Sequence, residues 1–114
     1  MIAGIGIDVV DISRFQSSLE RTPGLMEKLF TVAERTEPIP SLAARFAAKE
    51  ALAKALNAGK GLSWQEAEVK NLESGKPTFV FFGEVAALVD SAQVHLSLSH
   101  DAGIATAMVI LERN

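Results

Sequence analysis

Two carboxylates and a lysine stand in this sequence where charge is out of place. Asp8 interrupts an otherwise apolar run from Ile2 to Val10. Glu50 and Lys54 lie in RFAAKEALAKAL, Arg45 to Leu56, with seven alanines between Ala43 and Ala55 and with Leu42, Phe46, Leu52 and Leu56 among them. A charge in such surroundings is costly unless a counter-charge or a metal meets it. Glu50 and Lys54 fit a plain i,i+4 pair, which on a surface contributes only about 0.2–0.5 kcal/mol. They also fit a cleft. Asp8 fits a strand-end acid or turn cap, and equally a ligand to a hard metal. Mg²⁺ usually takes one or two carboxylates and fills its octahedron with water and phosphate oxygens. Asp8 and Glu50 could supply that pair; their spacing alone does not show that they meet.

The helix that carries Glu50 has no solvated face. At about 100° per residue its charges fall into two groups, Glu50 with Lys54 and Arg45 with Lys49. Leu42, Phe46 and Ala53 fill the arc between them, and the remaining arc is alanine. A helix apolar nearly all round is packed on several sides, and alanines let another backbone come close. GIGID, Gly4 to Asp8, is not a dinucleotide fingerprint. It lacks the third glycine, and its glycines lie inside a strand rather than opening a helix. Glycine within a strand instead points to close approach by a ligand or a second backbone.

The elements that must position these residues follow from periodicity and punctuation. Ile2–Val10 reads as a strand, and Asp11 as the cap of a helix from Ile12 to about Arg21. Thr22-Pro23-Gly24 breaks it, and a short helix around Leu25–Phe30 follows. Pro38 and Pro40 mark a loop; Ser41 is expected to cap the long helix, which ends near Gly59 and Gly61. Ala67–Asn71 and Thr78–Phe82 are expected strands around a Ser74–Pro77 turn, with a helix over Gly83–Ser91. Val94–Ser99 alternates as a half-buried strand does and pairs with Ile104–Leu111 across Asp101-Ala102-Gly103. This order predicts an α+β fold, a largely antiparallel sheet with a long central helix, in one domain over 1–114.

Composition narrows the function. The chain has 114 residues, 48% hydrophobic and 22% charged, as in an ordinary soluble protein. Cys is absent, which excludes a disulfide framework, a thiolate nucleophile and a sulfur metal site, and fits the cytoplasm. The N-terminal MIAGIGIDVVD has no basic segment and meets acids early, so neither a signal peptide nor a membrane span is expected. A net charge of −3 gives no general affinity for nucleic acid. The helix after Asp11 is amphipathic. Ile12, Phe15 and Leu19 form one stripe, and Arg14, Ser17, Ser18 and Arg21 lie opposite, a solvated or a docking face.

Taken in order, these segments resemble the small bacterial 4′-phosphopantetheinyl transferases, the holo-[acyl-carrier-protein] synthase family. GIGIDVVDISRF at Gly4–Phe15 resembles its opening motif and FTVAE at Phe30–Glu34 a weaker second one. RFAAKEALAKAL is close to its most specific signature, and GKP at Gly75–Pro77 and LSLSH at Leu96–His100 follow in the expected order. The match runs almost end to end. The stretch between Phe30 and Arg45 is shorter than the family's, Asn57 stands where glycine often follows KAL, and Asp101 where a small hydroxyl residue is common. The resemblance implies the transferase fold and transfer of the 4′-phosphopantetheine arm of coenzyme A to a serine of apo acyl carrier protein, in fatty acid biosynthesis. It implies that Asp8 and Glu50 hold Mg²⁺, with Asp8, Glu50 and Lys54 as the catalytic group and Glu50 a candidate base. Arg45, Lys54, Lys76, Pro77 and His100 are then expected to bind coenzyme A, and Arg14 and Arg21 to dock the acidic carrier. His95 and Trp64 are left as structural. The family's small members are trimers with active sites at subunit interfaces, so the two charge groups on the central helix are expected to serve a site from each side. The rival expectation is a non-catalytic oligomeric module that binds nucleotides or acidic proteins.

Overall fold

The structure, a computed structural model, describes residues 1–59 and 62–114. Its elements in chain order are β1 (Ile2–Asp11), α1 (Ile12–Arg21), α2 (Leu25–Leu29) and α3 (Ile39–Leu56). A short 3₁₀ turn (Trp64–Glu66) then leads to β2 (Ala67–Asn71), β3 (Pro77–Phe81), α4 (Gly83–Val89), β4 (Gln93–Asp101) and β5 (Ile104–Glu112). All strand pairs are antiparallel. They form two sheets, one of order β1-β5-β4 and one hairpin, β2-β3. The fold is α+β with a long central helix, as expected.

Helix α3 begins earlier than its composition predicts. Pro38 is the N-cap and Pro40 stands in the first turn, where a missing N–H is no loss and a fixed φ helps. Ser41 is therefore inside the helix, and its hydroxyl donates to Glu37. The helix ends at Asn57, which takes a left-handed conformation (φ 55°) that asparagine tolerates. Ala58 N–H then returns to Ala53 O at 2.9 Å. Gly61, the other expected stop, lies outside the described residues.

Strand pleating decides what α3 meets. On β1, Gly4, Gly6 and Asp8 share one face, while Ile5, Ile7 and Val9 share the other. A Cβ at Gly4 would lie 2.0 Å from Ala55 O, and one at Gly6 1.9 Å from Ala51 O. The glycines admit a second backbone, that of α3. On β5, Ala105, Ala107, Val109 and Leu111 are buried, and the alanines leave room for the helix. The alanine arc of α3 is thus covered within one chain. One core joins this helix and sheet to Val69 and Val85. A second gathers Phe15, Leu29, Phe30 and Leu42 around the start of α3.

Candidate active site

The contact that seats β1 on α3 also builds the site. Asp8 is the next inward residue after Gly4 and Gly6, so its carboxylate arrives on the arc of α3 that carries Glu50 and Lys54. Lys54 Nζ donates to Ile7 O at 2.8 Å and lies 3.4 Å from Asp8 Oδ1. Its side chain is still more than half exposed. Burial raises the Glu50 pKa above its ordinary value, and the charge of Asp8 raises it further, against the pull of Lys54. A cation between the two carboxylates would relieve that penalty on Glu50. Among the described residues no group of three or more acids or histidines is placed to hold a metal ion. Two carboxylates with open positions left for phosphate and water suit Mg²⁺.

From this acidic end a cleft of about 590 Å³ runs over Val10, Phe15, Phe46 and Trp64 toward Leu25 and Leu29. Its floor is aromatic. Phe15 stacks on Phe46 at 5.5 Å, and Phe46 meets Trp64 at 5.6 Å between ring centroids. Arg14 and Lys28 also line it, and both are exposed. Arg14 is held near the cleft because Asp11 caps α1 by accepting from Arg14 N at 3.0 Å, a bond that holds the Asp11 pKa low. Arg21 lies beyond, in a groove it shares with Arg14, Ser13 and Ser17. On the other side of Glu50 a recess of about 350 Å³ is lined by Ala53, Lys54, Asn57 and Gly59.

Not every expected residue comes to this place. Arg45, expected at the coenzyme A site, is 6% exposed. Its Nη1 donates to Val69 O at 2.6 Å, and its Nη2 lies 3.5 Å from Glu37. Lys49 is fully buried against Glu34, at 2.7 Å. Burial pushes the Lys49 pKa down, and Glu34 opposes the shift. The second charge group of α3 is therefore bound within its own chain, because buried ions require partners there. Neither Arg45 nor Lys49 lines the cleft of its own chain. Lys76 and Pro77 sit at the β2–β3 turn, and His100 near the end of β4, on the face of Asp8 but at the opposite edge of the sheet. None of the three lines the cleft or the recess. Trp64 and Lys28, which do line it, carried no functional expectation. Glu34 had no assigned role either; the T-x-x-E spacing from Thr31 is its signal, since Thr31 N donates to Glu34 Oε1 at 3.0 Å.

Comparison with known proteins agrees along the whole chain. Residues 4–108 match the model of the 4′-phosphopantetheinyl transferase superfamily. A holo-[acyl-carrier-protein] synthase of Clavibacter michiganensis subsp. michiganensis is 57% identical, over 98% of this chain and 97% of its own. Among solved structures, the Chronobacterium ammoniagenes ACPS–CoA complex superposes with a TM-score of 0.86 at 34% identity, over 97% of both chains. The holo-(acyl-carrier-protein) synthase from Bacillus anthracis str. Ames, in complex with CoA (3′,5′-ADP), gives a TM-score of 0.82 at 36% identity, over 100% and 99%.

Proposed function

We propose a reaction for a chain that belongs to the 4′-phosphopantetheinyl transferase superfamily, among the holo-[acyl-carrier-protein] synthases. It is an enzyme of that family. It moves the 4′-phosphopantetheine arm of coenzyme A to a serine of apo acyl carrier protein and releases adenosine 3′,5′-bisphosphate, as a cytoplasmic step serving fatty acid biosynthesis. The observation that supports this most is the meeting of Asp8 and Glu50 at one end of a cleft, close enough for the charge of one to raise the pKa of the other.

The nucleophile comes from the carrier, so the absence of Cys is no obstacle. The serine Oγ attacks the phosphorus that bears the pantetheine arm. A P–O bond forms there, the phosphoanhydride bond breaks, and its electron pair leaves on adenosine bisphosphate. The serine proton passes to the Glu50 carboxylate, directly or through a water. Asp8 and Glu50 would hold Mg²⁺, which when bound neutralises charge on the diphosphate. Lys54, anchored at Ile7 O yet more than half exposed, reaches a phosphate oxygen. Arg14 and Arg21 on α1 steer the acidic carrier to the cleft.

Mass spectrometry of apo carrier with coenzyme A, Mg²⁺ and this protein tests the reading. The expected result is a gain of about 340 Da on the carrier, the mass of the arm, that EDTA abolishes. No gain on any carrier tested would overturn the transferase and leave a binding module.

The site is completed between copies in a homotrimer. The outer face of β1 and β5 exposes Ile5, Ile7, Val9 and Met108 at 61%, 54%, 62% and 40%, a contiguous apolar face of the kind that marks an interface. Lys76, Pro77 and His100 do not reach the cleft of their own chain, so they would act from a neighbour. Ile7→Lys puts a charge in this face and is expected to give a folded monomer by light scattering, with coenzyme A turnover lost. A wild-type protein that elutes as one chain at full activity would remove the trimer from the account.

A further inference from the structure

The ammonium of Lys49 is buried directly behind the cleft, one residue before Glu50. Its donors reach acceptors from three segments: Glu34 Oε1 at 2.7 Å, Leu29 O at 2.8 Å and Trp64 O at 2.9 Å. Leu29 ends α2 and Trp64 opens the 3₁₀ turn, yet both line the cleft with Glu50. Glu34 fixes the direction of the ammonium, because its Oε1 also accepts from Thr31 N at 3.0 Å and its Oε2 from Val69 N at 2.8 Å. Glu34 and Lys49 are each 0% exposed. Three tetrahedral donors on one nitrogen can tie three segments at fixed separation. An apolar residue would fill the same volume, and replacing buried ion pairs by apolar groups is often harmless to stability. It could not hold two backbone carbonyls.

We propose that Lys49 is a positioning residue: through Leu29 O and Trp64 O it sets the wall of the cleft that faces Glu50, the wall along which the carrier's serine enters. This rests on the transferase reading for its kinetic consequence, but not for its geometric one. Trp64 is the single tryptophan of the chain, so its fluorescence reports the wall directly.

The test is the neutral double variant Glu34→Gln/Lys49→Met, which leaves no unpaired charge buried. Lys49→Arg, which keeps the charge in a longer planar head, serves as a second variant should the first not fold. Each is measured below its melting transition. The expected result is retained cooperative unfolding, coenzyme A affinity in Mg²⁺ by calorimetry within about twofold of wild type, and a kcat/KM for apo carrier reduced on the order of 10–100-fold through its KM, as a misplaced wall allows. Acrylamide quenching of Trp64 is expected to rise. Unchanged carrier kinetics with unchanged quenching would overturn the proposal and reduce the cage to core filling. Equal losses for coenzyme A and carrier would overturn it too, as general loosening. If the wild type transfers nothing, the transferase reading fails by itself, and the quenching alone decides: a rise supports the positioned wall, no change refutes it.

Discussion

Gly6→Ala is expected to lower the melting temperature by roughly 10 °C or more and to remove transfer from the molecules that stay folded. The methyl group would sit 1.9 Å from Ala51 O. The obstacle is the backbone of a helix buried on several sides, not the end of a flexible side chain. Restoring ordinary contact means moving β1 from α3 by about 1.5 Å, more than a close-packed core absorbs without loss. Overpacking of lesser severity costs about 1–3 kcal/mol, and a domain's entire margin is about 5–15 kcal/mol. The catalytic effect follows from the same displacement. Asp8 is two residues along the same face, and any retreat of β1 takes its carboxylate away from Glu50 and withdraws Ile7 O from Lys54. Calorimetry of the variant checks the first effect and the carrier assay the second. A melting temperature within about 2 °C of wild type would mean that β1 and α3 are not in backbone contact.

That contact shows how far the residues could be read without coordinates. The glycines of GIGID announced that something comes close to β1, and the alanines of α3 that something comes close to the helix. Each is the other's partner, but neither pattern names one. The hairpins β2–β3 and β4–β5 were legible because their turns are local. The pairing of β1 with β5 was not, because period two tells which face a residue takes and not which strand lies beside it. The same limit governs the charges. Helical spacing separated Arg45 and Lys49 from Glu50 and Lys54, and the structure keeps them apart. What Lys49 meets is Glu34, in the polar stretch TVAERTEP; its burial depends on β2 arriving from 35 residues downstream to donate Val69 N. Asp8, Glu50 and Lys54 meet within one chain. Lys76, Pro77 and His100 do not join them within this chain.

Glu50→Gln is expected to reduce transfer on the order of 10³-fold or more and, at neutral pH, to make the protein more stable. The two effects have one cause. Glutamine keeps the shape but supplies a neutral amide where the proposed Mg²⁺ and the serine proton would need a carboxylate. The folded protein, before any ligand binds, holds Glu50 with a raised pKa because of burial first and Asp8 second. A raised carboxyl pKa means that the ionised form is less comfortable in the folded chain than in the unfolded one. The folded state therefore carries a penalty above the folded-state pKa, and none below the unfolded value of about 4.3. The melting temperature of Glu50→Gln should accordingly exceed that of wild type at pH 7–8 in EDTA, and the two should converge as the pH falls toward about 4. Added Mg²⁺ should raise the wild-type value and leave the variant unmoved. A variant that is inactive and also less stable at neutral pH would assign Glu50 to the packing of α3 rather than to the chemistry. One that transfers at wild-type rate would leave Asp8 without the partner on which the proposed site depends. The predicted gain in stability is what separates a residue placed for function from one placed for the fold: a charge kept within a buried helix, beside a second charge of the same sign, opposes folding, and the proposed cation would offset that cost.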